Sequence, residues 1–320
     1  MKYLKIIMNI IFYNKYSHNG DLLFTKSFLQ QFCELNKDKF NIYLLLKYNS
    51  FLFSDIPNLN IILPSSDINY NNHFCGHQID PLNYININNM LFIKYINIFC
   101  KNFTDVNFLV LNDTIYINTW IGFFDGKLIS HLDCDLYNCN DYYNNIISNI
   151  NNKYNLNISN INNLYLLPSI PYSNIDSFIK LKNNNKIIFY YNYYPNSIKT
   201  DINHDDNINY LANKFKNYII CCADKHNSLY PNVVSLYDYG YIKNILCDNI
   251  SKAVYCAMYS DIVISFETGA CFYHLNDKFN NIFKGKWFYI SNKDFYYNRL
   301  NKYLNNDNFK HLNNIKDLNV

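Results

Sequence analysis

Two polar clusters interrupt apolar runs at places where side chains can do chemistry. The first, Ser17-His18-Asn19-Gly20-Asp21, follows the apolar run from Lys5 to Tyr13. A carboxylate beside a glycine in such a loop can take a proton from a hydroxyl, and Gly20 lets the backbone turn sharply or approach a ligand. The same spacing also describes a loop glycine followed by an aspartate capping a helix. The second cluster, Glu267-Thr268-Gly269, closes the apolar run that begins at Asp261. A glycine after a hydroxyl residue at a strand end lets backbone N–H groups face a diphosphate, and Glu267 can accept hydrogen bonds from ribose hydroxyls. A helix cap with a turn glycine fits the same residues.

Three further segments carry usable groups. In Tyr193-Tyr-Pro-Asn-Ser-Ile-Lys199-Thr200, Lys199 can neutralise a departing diphosphate in place of a metal ion, or simply be a solvated lysine. Asp113-Thr-Ile-Tyr-Ile-Asn118-Thr-Trp120-Ile-Gly122 sets Asn118 and Trp120 close together, a pairing of hydrogen bonding and stacking, or an edge strand and hairpin. Asp133-Cys-Asp135 imitates the Asp-x-Asp pattern by which GT-A glycosyltransferases hold Mn²⁺ or Mg²⁺. The bland alternative for that pair is a solvated loop, and the expectation is no resident metal or cofactor. His73, Cys75 and His77, with His131, Cys134 and Cys139, are metal-capable but lack structural zinc spacings, so they read as loop or strand residues.

Composition narrows the partners. Lys plus Arg number 28 against 25 acidic residues, and Arg299 is the only arginine, so no dense basic face exists to follow a nucleic-acid backbone. Asn, Ile, Tyr and Lys are abundant, as in an A/T-rich genome. The apolar start, interrupted by Asn9, is too short for a membrane span or a secretory segment. The expectation is a cytoplasmic protein without a transmembrane segment, whose ten cysteines are mostly buried thiols. Interleaved Ile, Leu and Tyr in the Asn-rich runs around Asn144–Asn163 and Asn301–Asn314 predict folded structure rather than disorder.

The elements that must position these clusters follow from periodicity. Lys5–Tyr13 reads as a buried strand, and Leu22–Leu35 has helical spacing. Strands are predicted at Asn41–Leu46, Leu59–Leu63, Phe108–Leu111 and Asp113–Ile117, with helices over Asn86–Phe99 and Tyr142–Lys153. Pro168 and Pro171 break the pattern, which then restarts. Lys186–Tyr191, Tyr218–Cys222, Asn232–Leu236, Asp261–Ser265 and Trp287–Ile290 read as strands, with helices over Ile208–Phe215 and Lys252–Met258. The 320 residues, 49% hydrophobic, suffice for two cores. The predicted fold is α/β, two Rossmann-like domains with parallel sheets facing a cleft, residues 1–170 and 171–320.

His18-Asn-Gly-Asp21 and Ser260-Asp-Ile-Val-Ile-Ser-Phe-Glu-Thr-Gly269 together resemble the heptosyltransferase-like enzymes of glycosyltransferase family 9, a GT-B fold. The resemblance implies sugar transfer from a nucleotide-sugar donor to a hydroxyl acceptor, glycan or lipid-linked. It implies Asp21 as base and Thr268-Gly269 against donor phosphates, with Lys199 a looser match and Glu267 beside them. His18, Asn19, Gly20, Asn118 and Trp120 are then the expected acceptor contacts. The chain departs from the family pattern in carrying Glu267 before Thr-Gly, Ala270 in place of proline, and His274 later than usual. It is also similar to polysaccharide pyruvyl transferases, which share an Asn-x-Gly-Asp-like loop but pair Arg with His in the second half. A binding or scaffold protein that keeps the fold without the activity is the third reading.

Overall fold

Ile10, Ile11 and Phe12 are successive residues, so they point to alternate faces of a strand, and all three are fully buried. That is the signature of a strand in a sheet covered on both sides. In the computed structural model this strand, β1 (Met8–Tyr13), is the centre of a five-stranded sheet. The structure describes residues 8–13, 19–46, 50–62, 108–111, 113–119, 123–124, 127–128, 136–193, 202–239, 249–266, 269–291, 294–304 and 308–319. The chain divides into two compact units, Met1–Pro168 and Ser169–Val320.

In the first unit β1 leads to helix α1 (Asn19–Asn36), then β2 (Phe40–Leu45) and β3 (Leu59–Ile62). Strands β4 (Phe108–Leu111) and β5 (Thr114–Asn118) follow, then the short pair β6 (Phe123–Phe124) and β7 (Lys127–Leu128) and helix α2 (Leu136–Tyr154). The sheet order is β3-β2-β1-β5-β4. All neighbours are parallel except β4 and β5, which pair antiparallel through a turn too short for a crossover helix. Phe12 meets Phe28 and Phe32 of α1 at 5.9 and 5.2 Å between ring centres, which seats the helix on the sheet.

Helix α2 is followed by Asn155, whose φ of 52° is the left-handed conformation that asparagine tolerates at a helix terminus. The chain then runs extended between α1 and α2, fastened by carboxamides. Asn151 and Asn144 of α2 each bond both backbone groups of one strap residue, Ile158 and Ile161 respectively. Asn36 and Gln31 of α1 do the same for Ser159 and Asn163. Asparagine's amide reproduces the donor and acceptor of a peptide, so the strap gains a side-chain ladder in place of a strand partner.

The second unit opens with α3 (Asp176–Asn184), β8 (Lys186–Tyr190), α4 (His204–Lys214), β9 (Tyr218–Cys222) and β10 (Val233–Ser235). It continues with α5 (Asn249–Met258), β11 (Ile262–Phe266), α6 (Asp277–Ile282), β12 (Lys286–Ile290), α7 (Asp294–Tyr303) and β13 (Phe309–Leu312). The order β10-β9-β8-β11-β12-β13 is parallel throughout. One face carries a largely aliphatic core around Ile188, Ile208, Leu211, Ile220, Ile262 and Ile264, into which Tyr190 and Phe266 also pack. The other is aromatic, with Phe189, Tyr191, His274, Phe279 and Trp287 in successive ring contacts. Each unit is Rossmann-like, an α/β layer with a chain reversal beside its first strand.

Strand β13 and helices α3, α6 and α7 have no counterpart in the elements read from periodicity. β13 occupies a sheet edge, where its Phe-Lys-His-Leu sequence is half polar, and the three helices are short or Asn- and Lys-rich. The predicted helix over Asn86–Phe99 lies outside the described residues. Cys33, Cys139, Cys221, Cys222 and Cys256 are buried. Among the described residues, no helix is long and apolar enough to cross a membrane.

Candidate functional site

The chain order reverses at β1 in the first unit, since β2 lies on one side of it and β5 on the other. Ligands of open α/β sheets bind at such a reversal, beyond the carboxyl ends of the strands. Tyr13 pairs with Asn118 there, the last residues of β1 and β5. Helix α1 begins at Asn19, three residues earlier than periodicity suggests, so Asn19, Gly20 and Asp21 form its first turn. Asp21 is therefore the third helical residue rather than a cap, in the positive field of the exposed N–H groups. The topology thus brings Asn118 and the Asn19–Asp21 turn to one sheet edge. His18 and Trp120 lie outside the described residues.

Below this edge the packing is specified by Tyr143 of α2. Its hydroxyl donates to the Thr119 carbonyl at 2.8 Å and shares a hydrogen bond with Thr25 Oγ1 at 3.1 Å. Thr25, Thr119 and Tyr143 are all buried.

In the second unit the reversal falls between β8 and β11. Tyr190 pairs with Ile264, and β11 runs on to Phe266. Gly269 opens a short 3-10 segment ending at His274. His274 is fully buried, its Nε2 bonded to the Tyr191 hydroxyl at 3.0 Å and its ring against Trp287 at 4.5 Å. This ties the segment after β11 to the end of β8. Glu267, Thr268 and Lys199 lie outside the described residues, as do Asp133, Asp135, His73, Cys75, His77, His131 and Cys134; Cys139 is a buried thiol inside α2.

Two residues that sequence reading passed over frame the end of β8. Asn192 accepts from the Asp224 N–H at 2.7 Å and donates to the carbonyls of Asp224 and Lys225, fixing the start of the segment after β9. His204, in the first turn of α4, bonds the Tyr190 hydroxyl through Nδ1 at 3.0 Å and packs against Phe266. Burial lowers its pKa to about 4, although a backbone hydrogen bond with Tyr193 and the charge of Asp205 act the other way. Asn203-His-Asp-Asp was the available signal. Asn203 caps the helix by accepting from Asp206 N–H, and Asp205 and Asp206 fill the first turn. Those two acids oppose an anion at this helix end. Hydrogen bonds from Asn227 hold the Asp205 carboxylate below its ordinary pKa.

Among the described residues there is no group of three or more His, Cys, Asp or Glu placed to hold a metal ion. No family model and no curated protein matches this sequence. Among solved structures the chain is similar to the glycosyl transferase family 9 from Veillonella parvula DSM 2008. The identity is 11% and the TM-score 0.46, over 98% of this chain and 88% of that chain.

Proposed function

We propose that this protein transfers a sugar from a nucleotide-activated donor to a hydroxyl group of a glycan or lipid-linked acceptor. What supports the reading is a shared placement. The Asn19–Asp21 turn and Asn118 lie at the carboxyl edge of the first sheet, beside its chain reversal. Gly269 follows the strand beside the reversal of the second sheet. The motif residues in the two units are those on which the resemblance to glycosyltransferase family 9 rests.

In this mechanism the acceptor oxygen forms a bond to the anomeric carbon as the bond from that carbon to the diphosphate oxygen breaks. Asp21 takes the acceptor proton. The electron pair of the broken bond stays on the departing nucleoside diphosphate, whose charge is met by Lys199 and the backbone N–H groups around Thr268 and Gly269. Glu267 holds ribose hydroxyls. His18, Asn19, Gly20, Asn118 and Trp120 orient the acceptor, and no metal ion takes part.

Thermal unfolding in the presence of UDP, GDP, ADP or CMP, each with and without Mn²⁺, tests the donor side. A ligand that binds only the native state raises its stability, by about 2.7 kcal/mol at a hundredfold excess over Kd. One nucleoside diphosphate is expected to raise the transition without Mn²⁺. A protein that none of them stabilises is a scaffold or a pyruvyl transferase-like enzyme, and the proposal is withdrawn.

A further inference from the structure

We infer that Tyr143 is a positioning residue for the acceptor side of this site, acting through its hydroxyl on the turn of α1 that carries Asp21. The inference rests on the glycosyl-transfer reading for the role of Asp21. Its geometry does not.

Tyr143 is 1% exposed and its ring leans on Phe28 of α1 at 4.6 Å. Phe28 in turn meets Phe12, near the end of β1. The ring is thus wedged by apolar contacts, while its hydroxyl joins two segments far apart in sequence. One is the carbonyl of Thr119, 24 residues away, directly after Asn118 at the end of β5. The other is Thr25 Oγ1, 118 residues away, four residues after Asp21 and so one helical turn below it. The Thr119 side chain is itself fully buried and, among the described residues, its Oγ1 has no hydrogen-bond partner, so what holds the segment to α2 is its carbonyl contact with Tyr143.

Hydrogen bonds work over a narrow window of distance and angle, so this pair fixes how far α1 can slide or rotate against the end of β5. A proton-accepting carboxylate needs that control. A displacement of about 1 Å can cost roughly a hundredfold in rate, whereas each bond adds only about 1 kcal/mol to folding. A hydroxyl that served stability alone would shift unfolding and leave turnover intact.

The test uses the full-length protein and Tyr143→Phe, which keeps the ring and removes only the hydroxyl. With a donor and acceptor that the wild type turns over, Y143F is expected to lower kcat at least tenfold while leaving the KM for the nucleotide sugar unchanged. Thr25→Val should reproduce that loss, and Thr25→Ser should restore most of it. In an Asp21→Asn background Y143F should cause little further loss, because a positioning residue has nothing left to position. A Y143F enzyme with wild-type kcat, or a loss that multiplies with that of D21N, overturns the inference.

Amide hydrogen exchange supplies an arm independent of activity. Y143F should speed exchange about fivefold in residues 23–29, the first hydrogen-bonded amides of α1, and in 114–119, with the second unit unaffected. Unchanged exchange in both segments overturns the inference even in an active enzyme. If the wild type transfers no sugar from any nucleotide donor, the functional reading has failed, and faster exchange confined to those segments still supports the coupling of α1 to β5.

Discussion

Asn36, the last residue of α1, holds both backbone groups of Ser159. The Ser159 N–H donates to Oδ1 at 2.8 Å and Nδ2 donates to the Ser159 carbonyl at 3.0 Å. The other Nδ2 hydrogen goes to the Phe32 carbonyl at 3.0 Å, and the side chain is fully buried. A single carboxamide therefore satisfies three backbone groups and fastens the strap to the helix that begins at the candidate site.

Replacing Asn36 by aspartate changes one nitrogen to oxygen and turns two donations into contacts between acceptors. The loss expected in the stability of the first unit is about 3 kcal/mol, because a buried polar group left without its partner costs about 1–3 kcal/mol. Urea unfolding followed by circular dichroism measures it. A variant within about 0.5 kcal/mol of wild type would show that the strap contributes little to folding.

Asp21→Asn tests the base. The third position of a helix tolerates asparagine, and removing a carboxylate from the first turn costs about 0.3–1 kcal/mol. Loss of a general base costs about a hundredfold or more in rate. Folding and donor affinity are therefore expected to be near normal, with transfer lost. A D21N enzyme that turns over at the parental rate reduces Asp21 to a helix-dipole role.

Lys199→Ala tests the counter-charge on the diphosphate. Binding of the nucleoside diphosphate found in the thermal panel should weaken about tenfold or more, equivalent to about 1.4 kcal/mol, by titration calorimetry. A chelator should leave the wild-type affinity unchanged. Binding abolished by the chelator instead points to Asp133 and Asp135 as ligands of a divalent cation.

His204 predicts a pH dependence. Its folded pKa, lowered by burial from 6.5 to about 4, means that between those values the unfolded chain takes up a proton that the native chain refuses. Its contribution to stability is complete above about pH 6.5 and is lost as pH falls towards 4. His204→Gln keeps a polar group near Tyr190 and removes the titration. Urea midpoints at about pH 7, 5.5 and 4.5 should therefore fall more steeply for the wild type than for the variant. Parallel profiles would mean that His204 titrates as an exposed imidazole.

What the sequence alone determined is local and periodic. Runs such as Ile10–Phe12, Ile187–Tyr190 and Ile262–Ile264 are apolar at every position, and a strand within a covered sheet buries every residue of such a run. The break at Pro168 and Pro171 and the restart at Lys186 imply two α/β series, because proline restricts the backbone wherever it occurs. The clusters at Asn19–Asp21 and Gly269 could be placed at strand ends for the same reason.

Contacts decided the rest. The Asn-rich stretch through Asn163 reads only as folded, since a carboxamide suits a cap, a turn or a ladder equally well. Its pairing with α1 and α2 depends on groups brought together across 123 residues for Asn36 and Ser159. No sequence spacing links Thr25, Thr119 and Tyr143, whose hydrogen bonds exist because α1 and α2 pack against each other beside the end of β5. His204 and His274 look like any polar residues near a helix end or a turn. Their burial against Tyr190 and Tyr191 is set by the register of β8 beside β11, a parallel pairing 74 residues apart that only the folded chain establishes.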